Sequence, residues 1–118
     1  MGISVYVDGS GGPGGGFGFF VKETGESFYE KKPDITNNQA EYMAIISALH
    51  KFVESDEEVT IYSDSKNTVN QLNHEFAINN EVLREFARKA WEIMGKYSKL
   101  TIVWVPRKEN LAGKMLGS

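Results

Sequence analysis

The chain has 118 residues, 41% of them hydrophobic and 25% charged, a balance that suits a single globular domain over residues 1–118 with a core large enough to need no staples. Cysteine is absent, which excludes disulfides and thiolate metal sites; no stretch is long and apolar enough to span a membrane or patterned as a signal peptide, so a cytoplasmic location is expected. The formal net charge is −3, so nucleic acid could be held only by a local patch, by backbone amides or by cations that neutralise an acidic cluster.

The first element is the β-branched run Ile3-Ser4-Val5-Tyr6-Val7, which stops at Asp8-Gly9-Ser10 and reads as a buried strand with a carboxylate at its C-terminal end. A charge there is expensive to bury unless it is paired or holds a metal. The glycine-rich segment from Gly9 to Gly16 lacks the Gly-Lys-Ser/Thr of a phosphate-binding loop and leads into a strand, Phe17 to Lys22, rather than a helix. It reads as a flexible turn between antiparallel strands, with glycines that let a polymer backbone come close. A turn at Glu23-Thr24-Gly25 precedes a third strand, Ser27 to Lys32.

Thr36-Asn37-Asn38-Gln39 has the pattern of a helix capping box. The helix beyond it carries Tyr42, Ile45, Ile46, Leu49, Phe52 and Val53 on one face. At 100° per residue Glu41 lies about 40° from Ile45, so it points inward or along the edge of that face. A Glu in this place also simply suits the helix dipole. The strand Val59-Thr60-Ile61-Tyr62-Ser63 then repeats the opening plan by stopping at Asp64-Ser65, and its helical connection makes it parallel to the first strand. Either aspartate alone is an ordinary cap former; two of them at one sheet edge are less easily explained that way. Ser65 caps a short helix with Val69 and Leu72, and His74 falls in a polar loop, Asn73 to Asn80, where a histidine is usually just solvated. Glu81 to Tyr97 is a long amphipathic helix, Leu100 to Val105 a last strand stopped by Pro106, and Asn110 to Leu116 a short terminal helix. The order predicts an α/β fold: a five-stranded mixed sheet, three antiparallel strands followed by two parallel ones, with helices on both faces.

If the first and fourth strands are neighbours, Asp8, Glu41 and Asp64 converge. Three carboxylates repel one another and call for divalent cations, and hard oxygen donors without Cys or His favour Mg²⁺ or Mn²⁺. Sites of this kind bind phosphate oxygens and drive in-line phosphoryl transfer, commonly with two metals about 4 Å apart.

The motifs Tyr6-Val7-Asp8-Gly9-Ser10, Thr36-Asn37-Asn38-Gln39-Ala40-Glu41, Ile61-Tyr62-Ser63-Asp64-Ser65 and Trp104-Val105-Pro106-Arg107-Lys108-Glu109-Asn110 together resemble type 1 ribonuclease H, in family order and over essentially the whole chain. The resemblance implies the ribonuclease H-like fold, Mg²⁺ or Mn²⁺ as cofactor, and an endonuclease, expected to be monomeric, that hydrolyses the RNA strand of RNA/DNA hybrids. It implies that Asp8 bridges both metals with Glu41 and Asp64 as further ligands. Gly9, Ser10, Asn37, Asn38 and Lys66 match positions that read the RNA strand through its 2′-hydroxyls, and Thr36 and Asn37 match positions that grip a DNA-strand phosphate.

Three departures stand out. The family's basic, aromatic protrusion is missing, so weak hybrid binding is expected. The loop before the last helix lacks the family's histidine, and Arg107 and Lys108 offer only an electrostatic substitute. Lys114 stands where the family pattern Asn-x-x-Ala-Asp has its fourth active-site aspartate. A protonated lysine cannot ligate a metal. This leaves open an enzyme working with one tightly held metal, recruitment of another carboxylate such as Glu109, or a hybrid-binding module with little or no catalysis.

Overall fold

β1 (Gly2–Ser10) is the middle strand of a five-stranded sheet in the computed structural model, which describes the backbone of residues 2–115 and the side chains of residues 2–113. β2 (Gly16–Val21) pairs antiparallel with one edge of β1, and β3 (Ser27–Lys31) pairs antiparallel with β2. On the other side β4 (Glu58–Ser63) lies parallel to β1 and β5 (Leu100–Trp104) parallel to β4, giving the order β3-β2-β1-β4-β5. The mixed sheet expected from the sequence is therefore present. Because β1 and β4 are parallel neighbours with Val7 opposite Ser63, the residues that follow, Asp8 and Asp64, come side by side, Asp8 still paired with Gly18 of β2.

Alternation along β1 decides its two faces. Val5 and Val7 are fully buried beneath α1 (Asn37–Phe52), with Val59 and Ile61 of β4 and Phe17, Phe19 and Val21 of β2 in the same core. Tyr6 and Tyr62 stack on the opposite face at 4.6 Å between ring centroids, in the same alternation as Asp8 and Asp64. The capping box forms as expected: Thr36 Oγ1 accepts from the Gln39 amide at 3.0 Å, and the Gln39 side chain accepts from the Thr36 amide at 3.1 Å. This fixes where α1 starts and hence which residue of its second turn meets β1. The buried face of α1 includes Ala40, Ala44 and Ala48 besides the larger apolar residues, and these small side chains let the helix lie close on the sheet.

α2 (Lys66–Leu72) is capped by Ser65 and turns Val69 and Leu72 into the core. α3 (Glu81–Met94) packs on α1 and α2 and buries Leu83, Ala87, Ala90 and Ile93, while Arg84, Glu85, Arg88, Lys89 and Glu92 stay exposed. It ends three residues before Tyr97; that hydroxyl instead donates to the Leu49 carbonyl across the helix pair. A 3-10 turn over Arg107–Glu109 and α4 (Leu111–Met115) close the described chain, α4 contacting β1 and β2.

The glycine segment is not the free turn its composition suggested. Gly12, at φ +85°, donates to the Ile35 carbonyl at 2.9 Å and accepts from the Asp34 amide at 2.9 Å, and Gly11 N–H donates to Asn37 Oδ1 at 2.7 Å. The loop is tied to the start of α1. His74 is exposed, as expected in a polar loop, and its ring in addition stacks on Trp91 at 4.8 Å from a left-handed backbone at φ 65°.

Candidate active site

Each carboxylate is delivered by a different element. Asp8 comes from the end of β1, Asp64 from the residue after β4, and Glu41 from the second turn of α1. One oxygen from each lies within 4.8 Å of the others. Asp8 is 8% exposed and Glu41 only 7%. The expectation that Glu41 faces inward holds, and Gly9 supplies its physical reason. A Cβ at Gly9 would stand 2.5 Å from the backbone carbon and oxygen of Ala40 and 2.8 Å from the Glu41 nitrogen. The missing side chain lets α1 press its backbone onto β1 next to Asp8. The close approach that glycine permits here is thus made by the protein's own helix. Gly9→Ala is expected to destabilise the fold by about 1–3 kcal/mol, the usual effect of overpacking against backbone that cannot yield. A urea midpoint equal to wild type would contradict this packing.

Like charges in a dry place resist ionisation. Burial first, then the charges of Asp8 and Asp64, push the Glu41 carboxyl up to about 9; a hydrogen bond from Gly9 and the positive charge of Arg107 offset this only in part. Among the described residues, Glu41 Oε1 is the buried side-chain oxygen that has no hydrogen-bond partner. A buried unpartnered oxygen on one of three converging carboxylates, with no Cys or His in the group, fits a hard divalent cation.

The same arrangement fixes a pH dependence. The folded, metal-free protein holds the Glu41 proton up to about pH 9, whereas an unfolded chain releases it near the ordinary value of 4.5. Between those values the folded state binds more protons, so stability of the metal-free protein falls as pH rises through that window. A cation needs the ionised group, so its uptake releases a proton and tightens as pH rises. Titration calorimetry near neutral pH, repeated in buffers of different ionisation enthalpy, is expected to report proton release. A binding enthalpy independent of buffer would contradict the protonated state of Glu41.

Two supporting residues belong to the Trp104–Asn110 motif, which by itself assigns them no task. Asn110 is fully buried and its Nδ2 donates both to the Val7 carbonyl at 2.8 Å and to Asp64 Oδ2 at 3.0 Å, while its Oδ1 accepts from the Ala112 amide at 3.0 Å. It locks β1, Asp64 and the start of α4 together. Trp104, at the end of β5, donates from Nε1 to the Asp64 carbonyl at 3.2 Å, and Lys66 Nζ lies 5.4 Å over its ring. Only the motif position of Asn110 could have flagged it; the indole contact depends on the β4–β5 register, in which Ser63 faces Trp104.

The remaining candidate residues surround this cluster unevenly. Gly9 and Ser10 end β1 and lead directly from Asp8. Thr36 caps α1, and Asn37 holds the glycine loop through Oδ1, while its amide nitrogen has no partner among the described residues and is exposed together with Asn38. Lys66 opens α2, and Arg107 lies in the 3-10 turn close enough to act on Glu41. Lys114 belongs to α4, but its side chain lies outside the described residues, so the fourth position carries no side-chain account.

The RNase H family matches residues 2–112 of the chain. No curated protein sequence matches it. Among solved structures, the RNase H1 of the halophilic archaeon Halobacterium salinarum is 25% identical, with a TM-score of 0.84 over 93% of this chain and 89% of that one. LC11-RNase H1, isolated from compost by a metagenomic approach, is 28% identical in its complex with an RNA/DNA hybrid, with a TM-score of 0.83 over 97% of this chain and 92% of that one. The N-terminal RNase H domain of a Mycobacterium tuberculosis protein shares the fold, at 23% identity and a TM-score of 0.81.

Proposed function

The chain belongs to the RNase H family, whose members depend on divalent metal, and from that membership we propose that it hydrolyses the RNA strand of RNA/DNA hybrids at the cluster of Asp8, Glu41 and Asp64. The observation that carries the reading is the meeting of these three carboxylates, with one buried oxygen unpartnered, at the end of parallel strands β1 and β4. Mg²⁺ or Mn²⁺ is the cofactor that suits an all-carboxylate donor set. When bound, the cation supplies Lewis-acid stabilisation of charge on the phosphate and lowers the pKa of a water.

The protein groups have separate tasks in this reading. Asp8 and Asp64 would hold the cation, and Glu41 would join them once its carboxyl is ionised. Asn110 keeps the Asp64 carboxylate from rotating away, through the bond to Oδ2. Gly9, Ser10, Asn37 and Asn38 meet the RNA strand, where the 2′-hydroxyls distinguish it from DNA. Thr36 and Asn37 meet a phosphate of the DNA strand. Lys66 and Arg107 contribute positive charge towards the phosphates, which a protein of net charge −3 must do locally. The protein acts as a monomer, since one chain carries all three acids, and in the cytoplasm, in keeping with a chain that has no cysteine.

The test is cleavage of a hybrid labelled on either strand, with Mg²⁺, Mn²⁺ or chelator present. Shortening of the RNA strand alone, stopped by chelator, is expected. Equal cutting of the DNA strand, or of a DNA duplex of the same sequence, would overturn the reading.

A further inference from the structure

A single exposed apolar group is ordinary on a protein surface; Trp104 is set apart by its bond to a residue of the acidic cluster. Trp104 is 42% exposed although it ends a strand whose Ile102 is in the core. One edge of its indole is fixed by the bond from Nε1 to the Asp64 carbonyl, and the Lys66 ammonium lies 5.4 Å over the ring. Two of the cluster's neighbours therefore depend on one side chain. The indole orients the backbone of Asp64 and holds the ammonium of Lys66 by cation–π attraction. Its exposed area is left for something outside the protein.

The strand nearest Asp64 must be the one that is cut, and Trp104 is bonded to that very residue. Resting on the ribonuclease H reading above, we propose that Trp104 and Lys66 form a subsite for the RNA strand beside the scissile phosphate. The indole packs against the ribose edge in the minor groove, and Lys66 meets the adjoining phosphate. An RNA-containing duplex suits such a contact, because its minor groove is wide, shallow and lined by riboses. An intact duplex keeps its bases stacked, so the indole meets sugar edges and not base faces.

The chain has two tryptophans, and the other, Trp91, is tied to the Leu72 carbonyl and stacked on His74. The fluorescence of Trp104 can therefore be isolated, either in a Trp91→Phe protein or as the difference between wild type and Trp104→Phe. The experiment titrates a fluorescein-labelled RNA/DNA hybrid in chelator, so that nothing is cut. It follows anisotropy for binding and, with unlabelled hybrid, acrylamide quenching for the indole. Saturable shielding of Trp104 is expected, and less shielding by a DNA duplex of the same sequence. Trp104→Ala, checked for folding by circular dichroism, is expected to weaken hybrid binding about tenfold, as truncation of an aromatic anchor at an interface commonly does. Trp104→Phe, which keeps a ring and loses the donor, should bind close to wild type.

Binding of the hybrid without shielding of Trp104 overturns the subsite. So does a Trp104→Ala protein with unchanged affinity and slowed cleavage, which assigns the indole a purely positioning role on Asp64. Equal shielding by the DNA duplex overturns the ribose contact. A wild-type protein that neither binds hybrid in chelator nor cuts it when Mg²⁺ or Mn²⁺ is returned overturns the functional reading itself, and anisotropy with the cleavage assay separates that outcome from the others.

Discussion

Asp8→Asn is expected to slow hybrid cleavage about a thousandfold or more, the ~4 kcal/mol that Lewis-acid stabilisation of the transition state supplies. Asp8 lies near the end of the middle strand of the sheet and has an oxygen within 4.8 Å of both other acids. An amide at that position has the same shape and lacks the charge. The fold should not suffer. The Asp8 charge is one of the causes that raise the Glu41 carboxyl, so removing it relieves repulsion in the metal-free protein. The substituted protein should melt no lower than wild type in chelator, and it should lose the stabilisation that divalent cation gives the wild type. Rate and melting temperature are measured on the same preparation. A folded Asp8→Asn protein that cuts at the wild-type rate removes the carboxylate cluster from the chemistry.

Lys114→Asp is expected to act in the other direction, raising the cleavage rate at least about tenfold, or ~1.4 kcal/mol. The backbone supports this expectation. Asn110 is bonded to Asp64 and caps the start of α4, and position 114 lies four residues further on in the backbone of that helix. If position 114 is the fourth carboxylate position that the resemblance implies, the exchange replaces a positive charge by a negative one beside the cation site, which strengthens divalent-ion binding there. Lys114→Ala separates two roles. If the ammonium obstructs a cation, its removal speeds cleavage; if it stands in for one, its removal slows cleavage. Single-turnover rates of the three proteins over a titration of Mg²⁺ and of Mn²⁺ distinguish these. If Lys114→Asp changes neither rate nor metal dependence, position 114 is not the fourth carboxylate position.

The sheet was legible in the sequence because its cause is local. Val5 and Val7 alternate with Ser4 and Tyr6, and Val59 and Ile61 alternate with Thr60 and Tyr62, so each strand declares its buried face without reference to the other. Asp8 and Asp64 were legible for the same reason, as charges that end apolar runs. Glu41 was half legible: the helical wheel turns it towards the core, but its contact with Asp8 depends on how closely α1 approaches β1. That distance is set by Gly9, whose missing side chain was read as room for a ligand and proved to be room for the Ala40 backbone. The glycine loop misled in a related way. Composition suggests freedom, while the bonds from Gly11 and Gly12 to Asn37 and Ile35 cross from one element to another. Asn110 lies 103 residues from Val7, and no local pattern announces a bond over that span. His74 was assigned to solvent, and its ring rests on Trp91 because the left-handed turn at residue 74 aims it back at α3.

In the proposed function three carboxylates from β1, α1 and β4 hold a divalent cation with which the protein cuts RNA. Single-turnover cleavage of an RNA-labelled hybrid, with Mg²⁺ or Mn²⁺ added back to chelated wild-type protein and Asp8→Asn as the blank, tests it most directly. The account predicts that the RNA strand is cut only when the cation is returned, at a rate that saturates with its concentration, and that Asp8→Asn stays silent. Hybrid that binds to the wild-type protein and remains whole at every cation concentration would contradict the account and leave a hybrid-binding module on a ribonuclease H fold.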